Sequence, residues 1–276
     1  MIPLSNIHTH SLYCDGKVSL RRMVQEAIKL NFVSLGFSGH SPLPYENSYA
    51  MTPQGEKEYK REVKALKEEY QGKLEILLGV EWDLDSEAAV KDYDYRIGSV
   101  HQIHGPEEIY AVDNTLEELK ACLHDVFKDN WKLMVEEYYN LVIKNALRPS
   151  VDIVGHFDLI TKLNEGDVLF PEDSPIYQSI ASEALKTIVR SRPDLVFEVN
   201  TGAMYRVGKK KPYPAPFLLK LLGKLESRVI ITSDAHVPEA LTYGFSEAMN
   251  ICRDNGVKNI CILRKEGFVS FPGKHI

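Results

Sequence analysis

Four cysteines in 276 residues, Cys14, Cys122, Cys252 and Cys261, stand without the close pairing of a zinc ribbon or a redox motif. Thiolate metal chemistry is therefore not the organising principle of this chain. No apolar stretch approaches the roughly 18–20 residues that span a bilayer. Met1-Ile2-Pro3 opens without the charged-then-apolar pattern of an export signal. The expectation is a cytoplasmic protein with no membrane role. Basic charge is scarce as well: 33 Lys and Arg stand against 39 Asp and Glu, a formal net charge of -6. That balance argues against nucleic-acid binding. The one basic cluster, Lys209-Lys210-Lys211, reads as a solvated loop or as an attractor for a phosphorylated small molecule. Internal repeats and low-complexity segments are missing too.

What the chain has is a recurrence. Seven short apolar or β-branched runs each end on a residue able to hold a cation: His8/His10, His40, Glu81, His101, His156, Asn200 and Asp234/His236. The first run reads as a strand from Leu4 to His8. Helical patterns lie between the runs. Ser19 is the expected N-cap of a helix reaching Leu30, with Met23, Ala27 and Leu30 at helical spacing, and Thr52 opens a charged helix to about Tyr70. Further helices are expected near 175–191, 216–225 and 239–255, with a short one after Asp83 and a final strand at 259–263. This α/β alternation argues for a parallel sheet, and in a parallel barrel the C-terminal strand ends converge on one face. Residues 103–150 form the longest interval between donor-bearing strands, a polar loop and then helices, long enough to form part of a substrate lid.

An ionisable group at the end of an apolar strand is costly unless it is paired or bound to a cation. His8 and His10 alternate, which puts both imidazoles on one side of a strand, and Asp15-Gly16 adds a carboxylate at a turn. Each position alone has an ordinary explanation: chance alternation for the histidines, a salt bridge or helix cap for Glu81 or Asp234. Together His8, His10, Asp15, His40, Glu81, His101, His156, Asp234 and His236 make nine nitrogen or oxygen donors, more than the three or four of a single zinc site. The set implies two or three divalent ions, and imidazole with carboxylate suits Zn, Mn or Fe. His104, His124 and His275 read as surface or loop residues, and Tyr138 and Tyr139 as helix packing.

His8-Thr9-His10, Gly39-His40, Gly79-Val80-Glu81, Gly98-Ser99-Val100-His101, Gly155-His156 and Ser233-Asp234-Ala235-His236 resemble the motifs of the polymerase-and-histidinol-phosphatase (PHP) family across nearly the whole chain. The resemblance implies a distorted (β/α)7 TIM-like barrel, a single domain over 1–276 with a helical insertion at about 103–150, and a trinuclear metal centre. It implies His8, His10, Glu81 and Asp234 around one ion, Glu81, His101 and His156 around a second, and Asp15, His40 and His236 around a third. Many relatives have histidine at the position of Asp15. The segments His40-Ser41-Pro42-Leu43-Pro44, Met51-Thr52, Gly155-His156-Phe157-Asp158 and Glu198-Val199-Asn200-Thr201-Gly202 are similar to those of the histidinol-phosphatase branch. That likeness implies hydrolysis of L-histidinol phosphate to L-histidinol and phosphate in histidine biosynthesis. A PHP-type phosphoesterase acting on another small phosphate ester or nucleotide would carry the same ligands. A non-catalytic module would tolerate their loss, and here every position is filled.

Phosphate monoesters resist attack because their oxygens repel an incoming anion. Clustered cations lower the pKa of a bound water toward roughly 7 and neutralise the phosphoryl oxygens. The expected reaction is in-line attack by a metal-bound hydroxide, with Glu81 bridging, Asp234 orienting the nucleophile and no covalent phosphoenzyme. Arg206, six residues after Asn200, is the first candidate to grip the phosphate, and Lys162, six after His156, the second. For each, a solvated loop charge is the plain alternative. Asp113 and Glu46 are acidic loop candidates for the imidazole and ammonium of the substrate.

Overall fold

The structure, a computed structural model, describes residues 3–45 and 47–272. Glu46 and His275, singled out above, lie outside the described residues.

Strands form where the apolar runs fall. β1 (Ser5–Asn6), β2 (Ser34–Phe37), β3 (Glu75–Asp83) and β4 (Tyr95–Ser99) come first, and β5 (Gln102–His104) and β6 (Ile109–Ala111) make a separate antiparallel hairpin. β7 (Ile153–Val154), β8 (Val196–Asn200), β9 (Arg228–Thr232), β10 (Asn259–Arg264) and β11 (Gly267–Pro272) complete a main sheet of order β1-β2-β3-β4-β7-β8-β9-β10-β11. All its pairings are parallel except β10 with β11. The sheet curls until the chain after β1 meets the chain after β9. There Thr9 bridges Ala235, His10 N donates to Ala235 O at 2.9 Å, and Ala235 N donates to His8 O at 3.0 Å. The result is a TIM-like barrel of parallel strands, with β10 and β11 continuing the sheet from β9.

Alternate strand residues fill the barrel, among them Ile7, Leu77, Tyr95, Ile97, Ile153, Val196 and Ile230. Tyr95 is the largest of these, and two glycines make room for it: a Cβ on Gly79 would lie 2.1 Å from Tyr95 Cζ, and one on Gly36 2.3 Å from its hydroxyl. That hydroxyl donates to the carbonyl of Ile7 at 2.5 Å, which satisfies it in an apolar interior.

The helices follow their caps. α1 (Leu20–Lys29) starts at Ser19, whose hydroxyl accepts from Arg22 N, and it buries Leu20, Met23, Val24 and Ala27 at helical spacing. α2 (Pro53–Glu69) starts at Thr52, which accepts from Gly55 N at 3.0 Å, with Pro53 in the first turn. α3 (Leu116–Asp125), α4 (Trp131–Ala146), α5 (Pro175–Ser191), α6 (Gly202–Arg206), α7 (Pro216–Lys224) and α8 (Phe245–Asp254) complete the set.

Four local expectations are corrected. β1 is two residues rather than Leu4 to His8, because the chain beyond it turns to the Ala235 bridge. The segment after Asp83 is a run of turns, held by the Arg96 guanidinium donating to Val90 O at 2.7 and 3.0 Å. The helix expected over 239–255 is split by Gly244, whose φ of 73° is left-handed, so α8 starts at Phe245. The 103–150 interval opens with the β5–β6 hairpin rather than a loop, and its second helix, α4, packs on α5 with Tyr138 and Tyr139 buried.

Candidate metal centre

The C-terminal rim of the barrel brings all nine donors together around Glu81. Its Oε2 lies 3.2 Å from His8 Nε2, 3.0 Å from His40 Nδ1 and 3.6 Å from His10 Nε2. Its Oε1 lies 2.8 Å from His156 Nε2 and 3.4 Å from His101 Nε2. Asp234 Oδ1 faces His10 Nε2 at 3.0 Å and His8 Nε2 at 3.7 Å. Asp15 meets His236 Nε2 at 2.9 Å and stands 3.5 Å from His10 Nδ1 and 3.7 Å from His40 Nε2. Three groups have ligand atoms within 4.8 Å of one another: His8, His10 and Glu81; His40, Glu81 and His101; and His10, Asp15, His40 and His236. Glu81, His10 and His40 each belong to two groups, so the three are contiguous.

These side chains crowd without satisfying one another. His8 Nε2, His10 Nε2, Asp15 Oδ1, His40 Nδ1 and Glu81 Oε2 are all buried without a hydrogen-bond partner. Orphaned polar atoms are normally rare in a protein interior, and five on five neighbouring donor residues are what a set of shared cations would satisfy. The donors present therefore fit a multinuclear centre of imidazoles and carboxylates.

Two further carboxylates orient the ligands, and neither received a role from the sequence. Glu198 Oε1 accepts from His8 Nδ1 at 2.5 Å, and Asp83 Oδ2 accepts from His101 Nδ1 at 2.7 Å. Each contact makes Nδ1 the donor, so that a cation taking the place of the Nε2 proton would meet an Nε2 lone pair facing the centre, the usual carboxylate–histidine–metal arrangement. Glu198, fully buried, also accepts from Thr232 Oγ1 at 2.7 Å, His156 N at 2.7 Å and Asn200 Nδ2 at 3.0 Å. The signal was available: Glu198 interrupts an apolar strand as Glu81 does, and Asp83 is two residues from Glu81, on the same face. Asn200 itself is corrected as a cation-holding strand end. Its Oδ1 accepts from Gly202 N at 2.8 Å and its amide donates to Glu198, so it secures the turn into α6.

Burial works against charge on Glu81, but the surrounding His40, His8 and His101 outweigh it and hold the carboxyl well below its usual range. Burial likewise opposes ionisation of Asp234, and Arg206 leads the groups that keep it ionised. Burial, with His236 and His40 alongside, lowers His10 to about 3, a neutral imidazole. The carboxylates and His10 are thus in the forms that bind metal, whereas His8, His40 and His101, where burial opposes the charge but the neighbouring carboxylates raise the pKa, would give up a proton to a bound ion.

Above the donors opens a cavity of about 780 Å³, bordered by Tyr45, Tyr49, the β5–β6 hairpin and α6. Arg206 and Lys162 both line it, and each is paired with a carboxylate. Arg206 donates to Asp234 Oδ2 at 2.8 Å and to Asp234 O at 2.9 Å, while Lys162 Nζ donates to Asp113 Oδ2 at 2.7 Å. Lys209 turns away to Thr161 Oγ1 at 2.9 Å.

A parallel barrel with contiguous imidazole–carboxylate groups at the floor of a cavity that also presents Arg206 and Lys162 defines a metal-dependent hydrolase. Comparison of sequences narrows the class. The PHP domain model matches residues 6–202, and the chain belongs to that family. A Deinococcus radiodurans protein named "Probable histidinol-phosphatase" is 28% identical over 274 residues, spanning 94% of this chain and 96% of its own. The histidinol-phosphatase of Bacillus subtilis is 25% identical over 273 residues, spanning 89% and 98%. The crystal structure of histidinol phosphate phosphatase from Lactococcus lactis, complexed with zinc, L-histidinol and phosphate, shares the fold at a TM-score of 0.73 and 18% identity, covering 98% of this chain and all of that one (100%).

Proposed function

We propose that this chain is a histidinol-phosphatase, hydrolysing L-histidinol phosphate to L-histidinol and phosphate in histidine biosynthesis. The observation that carries the reading is the trio of contiguous donor groups beneath a cavity lined by Arg206 and Lys162. Histidinol-phosphatase relatives that align along nearly the full length support the choice of ester. We take residues 1–276 as one domain, and four free cysteines fit a reducing cytoplasm. No helix among the described residues is long and apolar enough to cross a membrane.

His8, His10, Glu81 and Asp234 would hold one divalent ion, with His101 and His156 on the far side of Glu81 serving a second and Asp15, His40 and His236 a third. Zn, Mn or Fe suits this donor set, and such ions, when bound, supply positive charge for the phosphoryl oxygens and acidify water. The chain's own groups set the direction of attack. Asp234, kept ionised beside Arg206, can accept a hydrogen bond from the attacking water and orient it. Glu81 spans the first and second donor groups with its two oxygens. Arg206 spends two contacts on Asp234 and offers its remaining N–H groups to the phosphoryl oxygens, with Lys162 as the second cation. Among the described residues, neither Cys14 nor Ser233 stands ready as a nucleophile: burial raises the Cys14 thiol to about 11, and Ser233 Oγ is engaged by Asn6 Nδ2 at 2.7 Å. Water therefore attacks directly.

The test is phosphate release from L-histidinol phosphate beside a panel of other phosphomonoesters and phosphodiesters, using metal-quantified protein. A preference of orders of magnitude in kcat/KM for histidinol phosphate is expected. A different ester at the head of the panel would replace this reading by the broader phosphoesterase one, and a trapped phosphoenzyme would refute direct attack by water.

A further inference from the structure

The ester proposed above carries, besides its phosphate, an ammonium on the second carbon from the ester oxygen. One carboxylate of the cavity is built to meet such a group. Asp113 lies between β6 and α3, on a segment tied down at both ends. Val112 N donates to the carbonyl of His101, one of the nine donors, at 2.8 Å. Glu118 accepts from Ala111 N at 2.6 Å and from Asn114 Nδ2 at 2.9 Å, while Thr115 Oγ1 caps α3 by accepting from Glu118 N at 3.1 Å. The position of Asp113 relative to the metal centre is thus set by the backbone before any ligand arrives.

Its two oxygens are used unequally. Oδ2 accepts from Lys162 Nζ at 2.7 Å, so an alkylammonium already sits on one side of the carboxylate. Oδ1 has no hydrogen-bond partner among the described residues. The other carboxylates of the cavity wall are committed: Glu118 spends both oxygens on its own segment, and Asp15, Glu81 and Asp234 belong to the centre. Burial opposes the charge of Asp113, but Lys162, followed by His101, outweighs it, so the group is an anion close to the floor of the cavity.

We propose that Asp113 is the specificity-determining residue of this site, its Oδ1 receiving the ammonium of an amino-alkyl phosphate ester whose phosphoryl group lies at the metal centre, with Lys162 anchoring Oδ2. The inference rests on the phosphatase reading and adds a rule to it: the enzyme selects phosphate esters with a cationic amine beside the ester carbon.

The test compares kcat/KM of the wild type, Asp113→Asn and Asp113→Ala for L-histidinol phosphate and for its des-amino counterpart, imidazolylpropyl phosphate. Metal content and inhibition by inorganic phosphate serve as references on each protein. The preference for the amino ester is expected to fall about 10- to 100-fold in both variants, the range for a lost hydrogen bond to a charged group. Equal losses on the two esters, with the preference intact, would mean a structural role and overturn the inference. So would a change in phosphate inhibition as large as the change in preference. A wild type that hydrolyses neither ester would overturn the phosphatase reading together with this one, whereas wild-type turnover with an undisturbed preference in the variants overturns this one alone.

Discussion

Replacing Glu198 by glutamine keeps the volume of the side chain and changes one oxygen into an amide nitrogen. Four donors converge on the native carboxylate: His8 Nδ1 and Thr232 Oγ1 on Oε1, His156 N and Asn200 Nδ2 on Oε2. If the new NH₂ sits at the Oε1 position, His8 must switch its proton to Nε2 and lose the lone pair it points at the centre. If it sits at the Oε2 position, two donors face two others in a fully buried site, which costs about 1–3 kcal/mol per unpaired group. The first arrangement removes a ligand and the second strains the strand end that carries His156. Loss of such an orienting partner typically weakens metal affinity or activity about 10- to 100-fold. The assay is metal affinity of Glu198→Gln by chelator competition, read beside the thermal midpoint of the metal-free protein. Weaker metal binding with kcat falling in step is expected. A variant that binds metal within about two-fold of the wild type, and unfolds at the same temperature, would refute the reasoning from proton placement.

Arg206→Ala should cut kcat/KM about 100-fold, the scale for removing one charged contact to a developing anion. The acid limb of the pH–rate profile should also move up, because Arg206 leads the groups that hold the Asp234 carboxyl low. Unchanged KM and kcat would remove Arg206 from the phosphate site. Asp158 has one oxygen on Ala215 N at 2.8 Å and the other unpartnered, and burial raises its carboxyl to about 6. An acid raised on folding lends stability that is complete below the ordinary carboxyl range, near 4, and is lost as the pH rises through about 6. Between pH 4 and pH 8 the stability of Asp158→Asn relative to the wild type should therefore improve by on the order of 2 kcal/mol. Denaturant midpoints at the two pH values measure it, and a pH-independent difference would contradict it.

Eight of the nine donors are legible in sequence because each lies at the end of an apolar run, where an ionisable residue has no ordinary reason to be, and Asp15 is legible as a carboxylate at the turn that follows His10. Glu198 and Asp83 escape notice because each stands two residues from a more conspicuous run end, Asn200 and Glu81, although the cost of burying a carboxylate is the same there. The barrel strands are legible for the related reason that both their faces are covered, so they read as continuous apolar runs. The β5–β6 hairpin is not legible: its strands are three residues each, too short for alternation to register, and half its face is cavity wall. Nor is the break before α8, where a left-handed glycine overrides a helical pattern that continues on both sides of it. Arg206 and Lys162 are legible as cations near strand ends, but not as partners of Asp234 and Asp113, since neither pairing follows from spacing.

The bridge between Ala235 and the His8–His10 segment joins chain regions more than two hundred residues apart. Asp234 and His236 flank one side of that seam, and His8 and His10 the other. During synthesis the first donor group stays incomplete until nearly the whole chain has emerged, so a nascent or C-terminally clipped molecule keeps His101 and His156 but cannot assemble the full set. Ions bound across the seam would act as a clasp on its two sides, drawing on contacts of large sequence separation, which are slow to form. Metal held there would tie residues 8–10 to residues 234–236, and stripping it is expected to loosen the barrel first along that seam.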